Sequence, residues 1–322
     1  MKKVLVTGAA GFIGSKVSEM LLEEGYQVVG VDNLNDYYDI QLKLWCLDNL
    51  KKHDNFKFYK FDIENYEELK SVFQLNCPEA VINLAARTGV RYSLENPFVY
   101  LSTNSGGNLN LLELCREYGV SKFVLASTSS LYAGQKTPFK ESLPVNTPIS
   151  PYAASKKAAE MMAYTYHYLY GLDVTILRYF TVYGPAGRPD MAVFRFIKWI
   201  IESVPLEIFG DGTQKRDFTY IDDIAIGTIK ALKSLGFEII NLGNNHPHKL
   251  SEVIKLMEKI VGKKASINYK KLYKADMQVT RADINKAQEL LNWQPQVSLE
   301  EGIKRTAEWT KDNWEWLQKI KV

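Results

Sequence analysis

A tyrosine and a lysine stand four residues apart, at Tyr152 and Lys156, in a stretch that reads as a helix after Pro151. Residues at this spacing share one face of a helix. An ammonium group beside a phenol favours the phenolate and lowers the pKa of the phenol, and a positively charged ring nearby would lower it further. The pair therefore predicts that Tyr152 can take a proton from a hydroxyl group near neutral pH.

Three hydroxyl residues in a row, Thr128, Ser129 and Ser130, follow an apolar strand pattern. Ligands of parallel α/β sheets bind beyond the carboxyl ends of the strands, where these residues would lie. Their hydroxyls can hydrogen-bond a substrate hydroxyl and an adjacent anionic group. A polar turn would also explain them, so they indicate a site only in combination with the tyrosine and the lysine.

A glycine turn at Gly8, Gly11 and Gly14 separates the first strand pattern from the first helix pattern, and Asp32 follows 18 residues after Gly14. Glycines allow a tight turn and close approach of a pyrophosphate, whose charge is favoured at a helix N-terminus. A carboxylate at the end of the second strand accepts hydrogen bonds from adenosine ribose hydroxyls and repels a 2′-phosphate. These features predict a dinucleotide site, with NAD favoured over NADP as the cofactor.

The elements that must position these residues alternate between strand and helix patterns. Strand patterns cover Lys2–Thr7, Gln27–Val31, Phe56–Phe61, Ala80–Leu84, Lys122–Ala126 and Val174–Leu177. Helix patterns between them cover Phe12–Glu24, Tyr66–Gln74, Pro97–Tyr118 and Pro151–Tyr170. Such alternation predicts a Rossmann-like α/β fold, with a doubly wound parallel sheet and helices on both faces.

The last third of the chain is less regular. Its helix patterns cover Met191–Ser203, Asp222–Lys233, Leu250–Val261, Ile284–Asn292 and Ser298–Lys319, and one more strand pattern covers Glu238–Leu242. No linker-like composition marks a boundary. We therefore predict an NAD-binding domain over residues 1–180, to which residues 218–245 return, and a smaller, interleaved, mainly substrate-binding domain over residues 181–322.

The composition argues against several other classes of protein. The 40 lysines and arginines nearly balance the 37 aspartates and glutamates, and a net charge of +3 does not indicate a nucleic-acid binder. No apolar run reaches the length of a membrane span. Three cysteines without a close pair and four dispersed histidines argue against disulfides and a metal site, and favour a cytoplasmic location.

Longer strings resemble the extended short-chain dehydrogenase/reductases that modify nucleotide sugars, over essentially the whole chain. They are Val6–Gly14, Asp32-Asn33, Asn83–Ala86, Thr128–Ser130, Tyr152 with Lys156, Arg178–Phe180 and Arg216–Asp223. Within that family, Asp32–Asp39, Gly89–Pro97 and Phe180–Ala192 are similar to the UDP-glucuronate 4-epimerases.

The resemblance implies a mechanism. Tyr152 removes the proton of the sugar 4-hydroxyl while the C4 hydride passes to NAD, Thr128 shares the hydrogen bond, and Lys156 holds the nicotinamide ribose. The 4-keto sugar turns about its diphosphate and receives the hydride on its other face, which converts UDP-glucuronate to UDP-galacturonate. The implied partners are the UDP-sugar and a second copy of the chain, joined through a four-helix bundle of Pro97–Tyr118 and Pro151–Tyr170.

The resemblance also implies which residues bind. The cofactor set comprises Gly8, Gly11, Phe12, Ile13, Gly14, Asp32, Asn33, Asp62, Ile63, Leu84, Ala85, Ala86, Arg87, Asn104, Tyr152, Lys156 and Tyr179. The substrate set comprises Arg91, Thr128, Ser129, Ser130, Tyr152, Thr181, Arg188, Arg195, Arg216 and Arg281. In this set Ser129, Ser130 and Thr181 would hold the glucuronate carboxylate, and Arg216 and Arg281 the diphosphate. Arg87 departs from the glutamine that most of the family carries.

Other reactions stay open on the same scaffold. A UDP-glucose or UDP-N-acetylglucosamine 4-epimerase would use the same tyrosine and lysine. A UDP-glucuronate decarboxylase typically carries a glutamate in the stretch occupied here by Ser129 and Ser130, and a 4,6-dehydratase an aspartate and a glutamate. A regulatory dinucleotide-binding protein without turnover would have no need of Tyr152 and Lys156.

Overall fold

The computed structural model describes residues 2–271 and 276–322. Up to the fifth strand its elements are β1 (Lys3–Thr7), α1 (Phe12–Glu23), β2 (Gln27–Asp32), α2 (Ile40–Leu50), β3 (Phe56–Lys60), α3 (Tyr66–Asn76), β4 (Ala80–Asn83), α4 (Tyr92–Glu95), α5 (Phe98–Tyr100), α6 (Asn108–Glu117) and β5 (Lys122–Thr128). A π-helical segment, Leu101–Gly107, joins α5 to α6, and a 3-10 turn, Ser129–Tyr132, follows β5.

The remaining elements include the longest helix and several short strands. They are α7 (Pro151–Tyr170), β6 (Asp173–Tyr179), β7 (Thr181–Tyr183), α8 (Ala192–Glu202), β8 (Leu206–Phe209), β9 (Lys215–Tyr220), α9 (Ile221–Lys230), β10 (Phe237–Leu242), β11 (Pro247–Lys249), α10 (Leu250–Val261), β12 (Ile267–Lys270), α11 (Asn285–Leu291), α12 (Leu299–Asp312) and α13 (Trp314–Leu317). Within residues 2–271 and 276–322, no helix is both long and apolar enough to cross a bilayer.

Within the described part of the chain, seven strands form one parallel sheet in the order β10-β6-β5-β4-β1-β2-β3. Alternate residues of its central strands enter two separate apolar cores, as in β1, where Val4 and Val6 face one core and Leu5 the other. Helices α3, α6 and α7 cover one face, whereas α1 and α9 cover the other. The predicted doubly wound Rossmann-like sheet is confirmed, and its strand order reverses between β1 and β4, where such folds bind ligands.

A smaller layer built from the last third of the chain lies beside the carboxyl ends of the main sheet. It consists of the sheets β11-β9-β7 and β12-β8, with α8, α10 and α12 packed together. The chain between these elements returns to the main sheet, because β10 pairs with β6 and α9 packs on α1. The end of the chain also reaches the first half, where Trp309 and Trp316 pack against Trp45 of α2. The domain limits that the sequence suggests, residues 1–180 with 218–245 and residues 181–322, remain a prediction.

Some predicted elements were wrong in extent. Helix α2 was not predicted, although Leu42, Cys46, Leu47 and Leu50 give it a buried face. The predicted helix Pro97–Tyr118 is divided by the π-helical segment, where a Cβ on Gly107 would lie 2.6 Å from Ile63. The strands β7, β8, β11 and β12 were also missed, because strands of three or four residues carry too little pattern to stand out. The six-residue strand β9 was missed too, because its first half, Lys-Arg-Asp, is charged.

Candidate active site

The glycine turn after β1 makes room for a bound anion. Gly8 has a φ of +69°, and its amide donates to the Val31 carbonyl at 2.8 Å. A Cβ on Gly14 would lie 2.0 Å from the carbonyl oxygen of Gly8, so the turn can pack on the helix only with glycine there. Helix α1 begins at Phe12 with no side-chain cap and no acidic residue in its first turn. Its dipole and free amides are therefore available to a pyrophosphate.

The carboxylate of Asp32 lies at the end of β2, as predicted, and is fixed by backbone amides. Its Oδ1 accepts from Leu34 N at 2.8 Å and its Oδ2 from Ala10 N at 3.2 Å. Burial raises the pKa of Asp32, and the charge of Lys43 opposes that shift. The Lys43 ammonium, on α2, lies 4.0 Å from Asp32 and donates to Asn35 at 3.1 Å. Sequence reasoning missed Lys43 because it missed α2.

The residues predicted to surround the adenine come together beside this carboxylate. Asn33 donates from Nδ2 to Oδ2 of Asp62 at 2.5 Å, which ties the loop after β2 to the loop after β3. Ile63 is buried and would contact any side chain added at Gly107. Asp32, Asn33, Asp62 and Ile63 thus lie at one edge of the sheet.

Beyond β4 the chain runs through Leu84, Ala85 and Ala86 to Arg87, directly opposite the glycine turn. A Cβ on Gly8 would lie 2.8 Å from Ala85 N, so the two segments are nearly in contact. The side chain of Asn104 binds both backbone groups of Arg87. Its Oδ1 accepts from Arg87 N at 2.8 Å, and its Nδ2 donates to Arg87 O at 2.9 Å. It also donates to Ser155 on α7 at 2.9 Å. Its amide therefore positions the loop that carries Arg87.

These residues fit a dinucleotide. The turn needs glycine at Gly8 and Gly14, and the start of α1 has no side-chain cap. The Asp32 carboxylate, which would accept from the ribose hydroxyls, is at the end of β2. In addition, the buried Nε of Arg87 has no hydrogen-bond partner among the residues that the structure describes, and the Arg87 charge is close enough to lower the pKa of Lys43. A cationic side chain with an unpaired donor suits a diphosphate.

The predicted reacting groups also meet at the carboxyl edge of the sheet. Thr128, at the end of β5, lies close enough to Tyr152 for its side chain to lower the pKa of the phenol. Ser150 caps α7 by accepting from Ala153 N at 3.2 Å, which places Tyr152 in the first turn of the helix. One turn later, the Lys156 ammonium donates to the Ala126 carbonyl at 2.9 Å. Ser129 and Ser130 start the 3-10 turn, and Ser130 N donates to Thr128 Oγ1 at 3.1 Å.

The pKa of Tyr152 differs from the prediction. Burial raises it, and the hydrogen bond from Thr128 and the charge of Arg188 lower it only in part. The prediction that Lys156 brings the pKa of Tyr152 down is therefore wrong for the chain by itself. The same burial lowers the pKa of Lys156 to about 8, against a smaller opposing effect of Glu160, so its charge is itself disfavoured here.

Lys156→Met is expected to stabilise the cofactor-free protein more at neutral pH than at alkaline pH. A pKa lowered from 10.5 to about 8 means that folding disfavours the Lys156 charge by about 3 kcal/mol. The full penalty applies at pH values below the folded-state pKa of about 8, where Lys156 is charged in both states. It fades as the pH rises toward 10.5, because in that range only the unfolded chain keeps the proton. Leaving the Ala126 carbonyl unpaired offsets about 1–3 kcal/mol at every pH.

The measurement is urea unfolding of both proteins at about pH 7 and about pH 9.5. The free energy of unfolding of the variant minus that of the wild type should be larger at the lower pH. A difference that does not change with pH would contradict the assigned pKa of Lys156.

A buried ion pair that the sequence did not reveal supports the reacting groups. Glu160, one turn after Lys156, accepts from Arg178 at 2.8 and 2.7 Å, and neither side chain is exposed to solvent. Glu160 also accepts from Ser127, the neighbour of Thr128, at 2.7 Å. Arg178 further donates to Tyr132 at 2.9 Å. The network joins α7, β5 and β6 directly behind the catalytic candidates.

On the substrate side the predicted arginines form two groups. Arg91 pairs with Asp276 at 2.9 Å, and its charge lowers the pKa values of Arg195 and Arg216, both of which burial lowers more. Arg188 pairs with Asp190 at 2.5 Å, and its charge also reaches Tyr152.

The remaining predicted residues have distinct surroundings. Thr181, Arg188 and Phe12 line one small cavity, which adjoins the glycine turn. Arg281 donates to Asn245 Oδ1 at 3.0 Å. The hydroxyl of Tyr179 is bonded to Thr228 at 2.7 Å, so a cofactor contact by Tyr179 would come from its backbone or ring.

Together with the parallel sheet, the uncapped glycine turn and the Thr128, Tyr152 and Lys156 arrangement define an extended short-chain dehydrogenase/reductase. The chain belongs to the GDP-mannose 4,6-dehydratase family, whose model matches residues 5–306.

Known proteins of this kind resemble the chain over its whole length. The UDP-glucuronate 4-epimerase of Thermodesulfobacterium geofontis is 62% identical over 319 residues, which cover 99% of both chains. The crystal structure of UDP-glucuronic acid 4-epimerase from Bacillus cereus in complex with UDP-glucuronic acid and NAD matches with a TM-score of 0.92 and 41% identity, covering 97% of this chain and 99% of that one. UDP-glucose 4-epimerase from Thermotoga maritima, with UDP-glucose, matches with a TM-score of 0.88 and 36% identity over the same shares. The resemblance to nucleotide-sugar epimerases is confirmed.

Proposed function

We propose that this protein is an NAD-dependent epimerase that interconverts UDP-glucuronate and UDP-galacturonate by inverting C4 of the sugar. The observation that carries the proposal is the cluster at the end of β5, where the side chain of Thr128 lies close to Tyr152 and two serines follow. The cluster supplies a proton acceptor for a sugar hydroxyl and neutral donors for a carboxylate. The names of the T. geofontis and B. cereus relatives support the same reaction.

NAD is the cofactor, and when bound it takes up the C4 hydride and gives it back. For its diphosphate we propose the amides of Phe12, Ile13 and Gly14 and the side chain of Arg87, with Gly8 and Gly11 shaping the turn, where Gly11 N donates to Gly8 O at 2.9 Å. Asp32 and Asn33, with Lys43 beside them, would hold the adenosine ribose, and Asp62 and Ile63 the adenine. Lys156 would hold the second ribose, next to the segment Leu84–Ala86.

The chain's own residues move the proton. Tyr152 accepts the proton of the 4-hydroxyl, and Thr128 keeps the phenol and the sugar oxygen in one hydrogen-bonded group. Lys156 would hold the second ribose beside the phenol, while the Glu160–Arg178 pair fixes the strand and helix that carry these groups. Arg216 and Arg281 hold the diphosphate, so that the 4-keto sugar can turn about it and present its other face.

The two serines and Thr181 distinguish this proposal from a decarboxylase. A 4-keto glucuronate is a β-keto acid, which loses CO₂ readily when the carboxylate bond lines up with the ketone. Hydroxyl donors from Ser129, Ser130 and Thr181 would hold the carboxylate in an orientation poorly aligned for that cleavage. The stretch after Thr128 also offers no acidic side chain, because residues 129–133 are Ser-Ser-Leu-Tyr-Ala.

The test is a substrate panel without added NAD. Purified protein is incubated in parallel with UDP-glucuronate, UDP-glucose and UDP-N-acetylglucosamine, and the products are separated by chromatography. We expect UDP-galacturonate from the first and much slower turnover of the other two. Faster turnover of UDP-glucose would instead favour the second candidate, suggested by the similarity to the T. maritima enzyme.

We also propose that the protein acts in the cytoplasm as a homodimer. Its three cysteines are free, and Cys46 and Cys115 are buried without a partner thiol. A large apolar surface follows α5 and α7, and includes Phe98 at 81% exposure, Leu101 at 61% and Tyr168 at 75%. Leu112 of α6 and Tyr166 of α7 do not belong to this surface, because they are buried within the chain's own core.

Sedimentation at micromolar concentration should give twice the mass of the chain. Phe98→Glu with Tyr168→Glu is expected to shift the protein to monomer, because two charges would be desolvated in the interface. Leu75→Glu is the matched control, since Leu75 is 73% exposed on α3. A monomeric wild type would refute the dimer.

A further inference from the structure

Asp217 is a carboxylate with no exposure to solvent, in the middle of β9 and directly after Arg216. A buried carboxylate is costly unless its oxygens are fully hydrogen-bonded. The partners of Asp217 are backbone amides: Oδ1 accepts from Asn244 N at 2.6 Å, and Oδ2 from Asn245 N at 3.0 Å and Ala282 N at 2.8 Å. One side chain therefore joins two loops that lie 27 and 65 residues further along the chain.

The second of these loops carries Arg281, and Asp217 binds both neighbours of that arginine. Ala282 donates to its carboxylate, whereas the backbone amide of Asp217 donates to Thr280 Oγ1 at 3.1 Å. The first loop completes the arrangement, since Arg281 donates from Nε to Asn245 Oδ1 at 3.0 Å. Asp217 thus holds the residues before and after Arg281, and it also holds Asn245, to which the Arg281 side chain donates.

Arg216 depends on the same contacts. Its Nη1 donates to the carbonyls of Lys215 at 3.0 Å and Gln278 at 3.4 Å, and the chain from Gln278 to Thr280 lies against β9. Lys215 N donates to Gln278 O at 2.9 Å, and Thr280 N donates to Lys215 O at 3.1 Å. Loosening this segment from Asp217 would move the carbonyl that orients the Arg216 guanidinium.

We propose that Asp217 is a positioning residue for the UDP-sugar, which holds Arg216 and Arg281 together on the diphosphate. The inference rests on the proposed function, because it takes these two arginines as the diphosphate ligands. A carboxylate suits this task because it accepts several amides at once, and in a dry site its oxygens must be hydrogen-bonded.

Asp217→Asn tests the inference, because the amide keeps the size of the side chain but turns one acceptor into a donor facing a backbone amide. We measure the affinity for UDP by calorimetry, the steady-state constants for UDP-glucuronate and the bound NAD per chain. Hydrogen bonds to charged groups are strong, so losing the alignment of two arginines should weaken UDP binding and raise KM by about tenfold or more. The kcat should stay within about threefold, and the NAD content should not change, because Asp217 touches neither Tyr152 nor the glycine turn.

Asp223→Asn is the matched control. Asp223 is also buried and also accepts two backbone amides, Gln296 N and Val297 N, both at 3.0 Å. It lies on α9 and holds no arginine, so its variant should lose stability without a change in UDP affinity. An equal loss of UDP affinity in both variants would overturn the inference, as it would indicate general loosening.

A second variant keeps the inference testable if Asp217→Asn does not fold. Asn245→Gly removes the side-chain amide to which Arg281 donates and keeps the backbone amide that Asp217 accepts. Glycine also tolerates the φ of +56° at this position. UDP affinity should fall in this variant too, by less than in Asp217→Asn. Unchanged UDP affinity and KM in whichever variants fold would refute a positioning role.

UDP as the probe separates this inference from the proposed function. A wild-type protein that binds no UDP would overturn both. The UDP affinity of the protein could depend on Asp217 while the protein turns over UDP-glucose instead of UDP-glucuronate. That result would refute the proposed substrate and support the positioning role.

Discussion

Tyr152→Phe is expected to lower turnover of UDP-glucuronate by two to four powers of ten while UDP-sugar binding survives. The ring keeps its packing, including its edge contact with Tyr100, whose centroid lies 6.1 Å away, and only the phenol oxygen near Thr128 is lost. General acid–base groups contribute about 10²–10⁴-fold to rate.

The measurement is kcat from chromatography of UDP-galacturonate, together with calorimetric titration of UDP. Tyr183→Phe is the control: its hydroxyl is also mostly buried, but makes only long contacts of 3.4 and 3.5 Å with Ser298 and Leu299 carbonyls. It should stay within about threefold of the wild type, far less than the loss expected for a general base. A Tyr152→Phe variant that keeps more than about a tenth of the rate would exclude Tyr152 as the base.

Replacing both Ser130 and Thr181 with alanine is expected to lower kcat/KM for UDP-glucuronate by one or more powers of ten. A carboxylate moved out of water needs donors to replace its hydration. Each hydrogen bond to a charged group contributes about 1.5–3 kcal/mol. UDP-glucose has a neutral 6-hydroxyl in that place, so its turnover should fall much less in the same variant.

The same double variant should also make a by-product. A carboxylate that is no longer held would let the C5–C6 bond align with the π system of the 4-ketone and break. UDP-4-keto-pentose and CO₂ should then appear beside UDP-galacturonate, and each such event would leave one NADH on the protein. Both are measurable in the reaction that gives kcat/KM. Equal losses on both sugars without any decarboxylated product would show that Ser130 and Thr181 do not control the carboxylate.

The sequence by itself determined the parts that depend on short spacings. The glycine turn between β1 and α1, Asp32 at the end of β2, and the pair Tyr152 and Lys156 on one helix face are local patterns. Alternating apolar strands and helices determined the parallel sheet, and parallel strands necessarily bring their carboxyl ends to one edge. Thr128 and Asp32 were therefore predictable as neighbours of a common ligand before any coordinates.

The tertiary structure alone decided which charges meet and in what surroundings. Asp32 faces Lys43 and Glu160 faces Arg178 because helices α2 and α7 pack on the sheet, and no spacing in the sequence indicates either contact. Burial raises the pKa of Tyr152 where the helix pattern predicted a lower value, because desolvation depends on everything packed around a group and not on its helical neighbours. Asp217 gathers amides from loops 27 and 65 residues away. Contacts at such separations arise only when the chain closes on itself, and this closure brings β9, which carries Arg216, against the loop that carries Arg281.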